Sequence, residues 1–480
     1  MKETLKGPGM LSVDAILIGT GQAAPSLARA LAKHGEQVVI FEGAMLGGSC
    51  VNVGCTPTKT LRASARMAHM ARRAADFGIE VGEVRVDFQA AMTRMHAVVD
   101  ASREGLARSF EQADAITYVH EHAAFEGRDG GRFVVRSSNA RVIAPRVYLN
   151  TGTRPFVPPI AGLESVSALT NDSILQLTAC PAHLVIVGGS YIGLEFGQIF
   201  RRLGSEVTIV EESPSVASRE DDEIVERITA MLSDEGITIL AGHAVEQVAP
   251  AARDGEGAEG VRITVRAADG GVTRELRGSH LLIATGRVPN SDTLGLERVG
   301  ITRDDGGFIP VDGELQTNVA GVWALGDVNG RGAFTHTSYQ DHEIVLANYL
   351  GGARSVDDRV MTYAMYTDPP LGRVGLSERE AREQQKSGRR FLVAHHAMQR
   401  VSRAKEESET IGEMRVIVDA DTRRFAGASL LGIRCDEVVQ VIGAMMAADA
   451  PYDVLKDALP IHPTVTEFFP TILGKLRPLE

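Results

Sequence analysis

A chain of 480 residues has the length of about three domains, and its 44% apolar and 23% charged residues are an ordinary globular balance with ample core. A formal net charge of −12 argues against nucleic acid or an anionic membrane as partner, and no apolar run approaches the length of a membrane span. Four cysteines are too few for a disulfide-braced secreted framework.

The lead Met1 to Met10 is short and polar, with no apolar core of a targeting signal, so a cytoplasmic location is expected. Val13 to Ile18 is an apolar strand that runs into Gly19-Thr20-Gly21-Gln22-Ala23-Ala24. A helix over Pro25 to His34 and a strand over Gln37 to Phe41, ending in Glu42, complete the unit. This is Gly-x-Gly-x-x-Ala in the context of strand, turn, helix and strand. Gly19 and Gly21 let the backbone approach a pyrophosphate, whose charge the helix N-terminus favours. Glu42, 23 positions after Gly19, is placed to accept hydrogen bonds from a ribose diol.

Next comes Gly47-Gly48-Ser49-Cys50-Val51-Asn52-Val53-Gly54-Cys55-Thr56-Pro57-Thr58-Lys59, which carries two of the four cysteines five positions apart. Thr56 reads as an N-cap, Pro57 as the first helical position, and Lys59 to Phe77 as the helix. Cys55 then lies at the positive end of a helix dipole, a setting that favours thiolate, with Cys50 placed to close a small disulfide. A zinc site would need a second thiol pair, which the chain lacks. Two-electron exchange is the chemistry that suits such a pair.

Phe88 to Gln112 reads as a second helix with Ala91, Met95, Val98 and Val99 on its apolar face. Ala115 to Val147 alternates like a small antiparallel sheet, and Val147 to Gly152 is a strand stopping at Thr151-Gly152. A proline-rich joint, Pro155 to Pro159, marks a domain boundary. The pattern then repeats: strand His183 to Val187, turn Gly188-Gly189-Ser190-Tyr191-Ile192-Gly193, helix to Leu203, strand Val207 to Val210, then Glu211. Gly188 to Glu211 spans the same 23 positions as Gly19 to Glu42, and a second Thr-Gly strand end follows at Thr285-Gly286.

Two matched copies imply two bound dinucleotides. Sulfur beside the first needs a carrier that accepts a hydride and passes on electron pairs, as a flavin does, leaving the nicotinamide donor for the second. Val322 to Asp327 is a further strand ending in an acid, read as a carboxylate gripping the flavin's ribityl or phosphate part, or as a simple strand-end cap. Beyond Val360, strands over Phe391 to Arg400, Gly412 to Asp419 and Ala426 to Gly432 suit one antiparallel sheet. Asp436 to Ala448 reads as a helix whose apolar face could bury in a partner subunit. Thr464 and Glu467 form a capping-box pattern. The same segment, His462-Pro463-Thr464-Val465-Thr466-Glu467, also supplies an acid–base imidazole and a carboxylate to orient it. Cys180 and Cys435 read as buried structural residues.

The Gly-Gly-Ser-Cys-Val-Asn-Val-Gly-Cys and His-Pro-Thr-x-x-Glu segments resemble those of the class I pyridine nucleotide–disulfide oxidoreductases, and the likeness covers nearly the whole chain. It implies an α/β fold with two Rossmann-like dinucleotide-binding domains plus an α+β C-terminal dimerisation domain. The FAD domain would span 10–154 and 287–355, the NAD(P) domain 155–286, and the dimerisation domain 356–480. FAD would be held at Gly19, Gly21, Glu42, Gly48, Lys59, Gly152 and Asp327. NAD(P)H would be held at Gly188, Gly189, Ser190, Gly193, Glu195, Glu211 and Gly286. The resemblance further implies that electrons reach Cys55, the sulfur nearer the flavin, that Cys50 attacks the substrate, and that His462 with Glu467 manages its proton at the other subunit's site. Tyr191 resembles the family's aromatic lid, and Lys59 with Glu195 its ion pair beside the flavin. Glu211 would repel a 2′-phosphate, and Arg219 alone is near enough in sequence to offset it, so NADH is the expected donor, with NADPH as the other possibility.

Overall the likeness leans to mercuric reductase-like flavoproteins, through Gly-Thr-Gly-Gln-Ala-Ala-Pro at the first turn and Asp368-Pro369-Pro370-Leu371-Gly372-Arg373-Val374-Gly375. A mercuric reductase carries a vicinal cysteine pair near its C-terminus, whereas Phe468 to Lys475 contains none, and no N-terminal Cys-x-x-Cys metal-binding domain is seen. No resident metal site is expected. The substrate is accordingly a small disulfide or a soft metal ion, with a dihydrolipoamide dehydrogenase component and a low-turnover redox-sensing flavoprotein as the alternatives.

Overall fold

The computed structural model describes residues 10–252, 259–268 and 270–480, so the lead Met1 to Met10 lies, except for Met10, outside the described residues. The chain divides into two compact units. The first holds Met1–Leu61, Ala90–Phe156 and Gly286–Arg359, and the second holds Arg62–Gln89, Val157–Thr285 and Val360–Glu480.

The first unit is built on a five-stranded parallel sheet in the order Val322–Ala324, Arg146–Leu149, Ala15–Ile18, Val38–Phe41, Ile116–Val119. Its strands are apolar on both sides because both faces are covered. Ile16, Ile18, Val39, Phe41, Val147 and Leu149 pack towards Phe125, Phe133, Val135 and Val142 of an antiparallel layer. The alternate residues Ala15, Leu17, Val38, Ile40 and Tyr148 pack towards Leu27 and Leu31 of the helix Ala24–Lys33, and Ile344 and Val345 of the helix Thr335–Tyr349. The period of two in the sequence thus sorts one sheet between two cores.

The second unit repeats the parallel motif with four strands in the order Ile237–Ala241, Glu206–Glu211, His183–Val187, His280–Ile283. The helix Tyr191–Leu203 follows the central strand's glycine turn. The unit also contains a six-stranded antiparallel sheet that includes Phe391–Ala397, Glu413–Asp419 and Phe425–Leu431, as expected from their alternation.

Several local expectations are corrected. Ile116–Val119 does not belong to the antiparallel layer but pairs in parallel with Val38–Phe41; only Ala124–Asp129, Arg132–Arg136 and Arg141–Ala144 form the antiparallel strands. The helix read over Lys59 to Phe77 runs over Cys55–Arg72, because Thr58 N donates to Gly54 O (3.1 Å) and closes the first turn; a short 3-10 turn, Ala74–Phe77, follows separately. Thr56 and Pro57 are therefore inside the helix rather than at its cap. Val98 is exposed, since Met92, Met95 and Val99 form the buried stripe of Phe88–Glu111 and Val98 lies about 100° round the helix from Val99. Val438, Val439 and Ile442 of Cys435–Ala447 share a core with Val416 and Leu430 of their own sheet. Cys435 is fully buried, but Cys180 is only partly so, with Sγ 3.3 Å from Ser205 Oγ.

Candidate active site

The first glycine turn is shaped by Asn150. Gly19 has φ +93°, and a Cβ there would lie 2.4 Å from the Asn150 carbonyl oxygen; at Gly21 it would lie 2.7 Å from Asn150 Oδ1. The same Oδ1 accepts from Ala24 N (3.1 Å), and Asn150 Nδ2 donates to Leu325 O (2.7 Å). Glu42 Oε2 accepts from Thr20 N (2.8 Å) and Thr20 Oγ1 (2.6 Å), while Oε1 accepts from Ala44 N (2.8 Å). A carboxylate has about four lone-pair sites, so one remains for a diol.

At Gly152 (φ +64°) a Cβ would meet nothing within 4 Å. Next to it in the chain, Thr153 Oγ1 donates to Asp327 Oδ2 (3.1 Å). Burial, opposed by Thr153 and Arg287, pushes the Asp327 carboxyl above its usual range. Glycines that leave no room for side chains, open space at the strand end and a buried carboxylate together fit a dinucleotide.

In the second unit Gly188 (φ +111°) abuts the Ala284 carbonyl oxygen as Gly19 abuts that of Asn150, again at 2.4 Å from a would-be Cβ. A Cβ on Gly189 would meet Val216 Cγ1 at 2.7 Å, and one on Gly193 would meet Gly188 O at 2.0 Å. Glu211 Oε2 accepts from Gly189 N (2.5 Å), and Oε1 accepts from Ser213 N (2.7 Å). Ser190 is the extended residue before the helix, and Tyr191, half-buried, is its first residue. Glu195 is buried one turn on, where Oε1 accepts from Tyr366 N (2.8 Å). Gly286 (φ +139°) has open space about its would-be Cβ. This turn also fits a dinucleotide.

The two sulfurs sit where two helices meet. Cys50 belongs to the short helix Gly48–Asn52, and Cys55 is the first residue of Cys55–Arg72. Cys55 is exposed and Cys50 half-buried. A hydrogen bond with Cys55, together with burial, raises the Cys50 thiol well above the usual range. Asn52 braces the loop by donating from Nδ2 to Leu46 O and Gly48 O, both at 2.9 Å. Gly47 N donates to Thr20 Oγ1 (3.0 Å), the hydroxyl that itself donates to Glu42. Gly48 (φ +63°) lies so close to the turn that a Cβ would be 3.0 Å from Gly21 Cα. The sulfur segment, the first turn and its acid are thus joined through one fully buried threonine. Lys59 lies one turn beyond Cys55 and is half-buried.

At the far end of the sequence, His462 Nδ1 and Glu467 Oε2 are 2.8 Å apart. Glu467 N donates to Thr464 Oγ1 (3.1 Å), so the backbone half of the capping box forms while the Glu467 side chain turns to the imidazole. The His462 side chain is 70% exposed and that of Glu467 12%. The tail helix Phe469–Leu473 is core, with Phe469, Ile472 and Leu473 buried. Among the described residues no group of three or more His, Cys, Asp or Glu side chains could hold a metal ion. No helix among them is long and apolar enough to cross a membrane.

Sequence reasoning missed Thr20, Asn150 and Thr335, whose Oγ1 lies 3.1 Å from Cys55 Sγ. Asn150 and Thr20 stand inside the quoted motifs, where an amide or hydroxyl beside a glycine turn was the available signal. Thr335 offered none, being 280 positions from its partner.

A family model for pyridine nucleotide-disulphide oxidoreductases matches residues 13–341, and one for the dimerisation domain of the same proteins matches residues 361–472. The chain is 34% identical over 463 residues to the probable pyridine nucleotide-disulfide oxidoreductase RclA of Escherichia coli (strain K12), covering 95% of this chain and 98% of that protein. It is 34% identical over 458 residues to a mercuric reductase of Streptomyces lividans, covering 94% and 93%. With a dihydrolipoyl dehydrogenase of Cupriavidus necator the identity is 28% over 466 residues, covering 95% and 96%. The solved structure of the HOCl-induced flavoprotein disulfide reductase RclA from Escherichia coli, in complex with Cu(II), superposes with a TM-score of 0.85 at 33% identity, covering 97% of this chain and 99% of that one. With two nucleotide turns, a sulfur pair and these likenesses in hand, the chain belongs to the pyridine nucleotide–disulphide oxidoreductases, flavoenzymes that use FAD and NAD(P)H.

Proposed function

We propose that this flavoenzyme takes electrons from NADH and delivers them through the Cys50–Cys55 pair to a small disulfide or a thiol-complexed soft metal ion. The observation that carries this reading is the sulfur pair itself: two thiols in hydrogen-bond contact, one exposed at the start of a helix, tied through Thr20 to the first nucleotide turn. FAD, when bound, supplies the two-electron exchange between nicotinamide and sulfur. Gly19, Gly21, Glu42, Gly48, Lys59, Gly152 and Asp327 would hold it, and Gly188, Gly189, Ser190, Gly193, Glu195, Glu211 and Gly286 would hold the nicotinamide coenzyme. Cys50 attacks the acceptor, and His462, oriented by Glu467, carries the proton. Soft thiolates suit both a disulfide and a soft metal ion. The mercuric reductase relatives and the Cu(II) complex of RclA favour including the metal.

The dimerisation domain supports a homodimer in which the exposed His462 of each chain serves the other's sulfur pair. We place the domains at 10–154 with 287–355, 155–286 and 356–480, and the enzyme in the cytoplasm.

The test follows NADH consumption by the purified holoenzyme with mercuric ion in excess small thiol, with Cu(II) under the same conditions, and with lipoamide and other small disulfides. Turnover with a metal or a disulfide that disappears in Cys55→Ser, while FAD stays bound, is the expected result. Full turnover retained in Cys55→Ser would overturn the relay. Efficient turnover with lipoamide alone would assign the dehydrogenase role instead. Flavin reduction without turnover of any acceptor would leave the sensor reading.

A further inference from the structure

Between Glu211, which ends its strand, and the helix Asp222–Asp234, residues 212–221 form a loop that folds back on the second glycine turn. Ala217 N donates to Gly189 O (2.8 Å), and the buried Val216 fills the space beside Gly189. Ala217 holds a left-handed backbone, φ +48°, which a residue with a Cβ keeps only where its surroundings impose it.

The imposing contacts come from the dimerisation domain, 361–472. At the end of the loop Glu220 and Asp221 are both buried. The Tyr363 hydroxyl donates to Glu220 Oε1 (2.7 Å), and Arg373 Nε lies 3.1 Å from Glu220 Oε2. Asp221 accepts from the backbone N–H groups of Glu378 (3.2 Å) and Arg379 (3.3 Å). The exposed Arg379 spans the loop from outside, its guanidinium donating to the carbonyls of Ser218 and Arg219, both at 3.3 Å.

We propose that Tyr363 and Arg379 are positioning residues for the nicotinamide coenzyme: they latch the loop 212–221 against the second glycine turn, so that the dimerisation domain completes the coenzyme site. The proposal rests on the reading of that turn as the place where NADH binds. A site that is in its binding form only part of the time binds more weakly by that fraction. Once the coenzyme is seated the loop is already in place. Loosening the latch therefore raises Kd for NADH and leaves the limiting rate of flavin reduction alone. Removing the Tyr363 hydroxyl is the sharper cut, because it strips a donor from a buried carboxylate.

The experiment uses the full-length holoenzyme as wild type, Tyr363→Phe and Arg379→Ala. Flavin reduction in stopped flow is expected to give a Kd for NADH raised at least about fivefold in Tyr363→Phe and about threefold in Arg379→Ala, with the limiting rate unchanged. Reduction by dithionite, which does not use the turn, is expected to match wild type. Amide hydrogen exchange of residues 212–221, followed by mass spectrometry without coenzyme, is expected to quicken in both variants, with FAD content and circular dichroism unchanged. Wild-type Kd values in both variants would overturn the proposal, whether or not exchange quickens. A fall in the limiting rate with Kd unchanged would overturn it equally. Should Tyr363→Phe lose its fold, the exposed Arg379→Ala supplies the same comparison. Wild-type flavin that NADH does not reduce in a saturable way would instead sink the assignment of the turn to the coenzyme.

Discussion

Glu42 and Glu211 are held in the same way by their two turns: each accepts from the backbone N–H of the turn's second residue, Thr20 or Gly189, and from the N–H two positions on, Ala44 or Ser213. The carboxylate of the second site is thus fixed at the strand end, where a coenzyme's adenosine ribose would lie. Neutralising it removes the repulsion of a 2′-phosphate and keeps an acceptor for Gly189. Glu211→Gln is expected to raise the ratio of kcat/KM for NADPH over NADH at least about tenfold, measured by steady-state kinetics with each coenzyme.

Gly193 separates the two sites experimentally. A Cβ there would lie 2.0 Å from Gly188 O, whereas the corresponding place in the first turn is already an alanine, Ala24. Gly193→Ala is expected to leave FAD content at the wild-type level and to slow flavin reduction by NADH at least about tenfold in stopped flow, because the turn must open to admit the methyl group. Equal loss of FAD would contradict the assignment of the two turns.

The exposed His462 predicts complementation. Cys55→Ser and His462→Ala, each inactive alone, are expected to recover about a quarter of wild-type activity after co-refolding or co-expression in equal amounts. Half the dimers are then hybrids with one intact site of two. No recovery, with hybrids demonstrated by mass, would place His462 and Cys55 of one chain at the same site.

Asp368 organises a buried ion cluster in the second unit. Its carboxylate pairs with Arg202 and Arg66 (2.5 Å to Arg66), and Gln198 bonds both its N–H (2.7 Å) and its carbonyl (2.9 Å). Burial works to raise its pKa, but Arg202 and Arg66 outweigh burial and hold it down to about 2. A lowered carboxylate adds stability above its unfolded pKa, and that stability is lost as pH falls through the folded value. The contribution, about 2 kcal/mol, is therefore full above about pH 4 and gone below about pH 2. Asp368→Asn leaves the guanidinium of Arg202 buried without its full charge partner and is expected to cost about 3–5 kcal/mol in urea unfolding at pH 7. The gap from wild type should narrow as pH falls from 4 towards 2.

What the sequence disclosed and what it hid follow from the range of the forces involved. The paired intervals Gly19–Glu42 and Gly188–Glu211 were legible because a glycine turn and its acid are local requirements of one strand–helix–strand unit. Strand His183–Val187 and the end of the following helix at Leu203 were legible to the residue for the same reason, although the helix already begins at Tyr191, inside the stretch read as turn. Ile116–Val119 was misplaced because alternation shows that a strand has two faces, not which neighbour it pairs with. The helix begins at Cys55, two residues before the Pro57 start that Thr56 and Pro57 suggested, since the Gly54 carbonyl had already opened the helix. Thr20, Asn150, Thr335 and Asp368 act through partners 22 to 302 positions away, and no local pattern encodes such a meeting.

Asn150 and Ala284 occupy matching places behind the two glycine turns, but only the asparagine has a side chain that reaches further. Its amide ties the turn at Ala24 to Leu325, so three segments distant in the chain are joined behind the first glycine turn. Ala284 contributes only its backbone to the second turn. Two cradles of one pattern thus differ in bracing: the first is laced to the chain behind it by a side chain, the second rests on backbone alone.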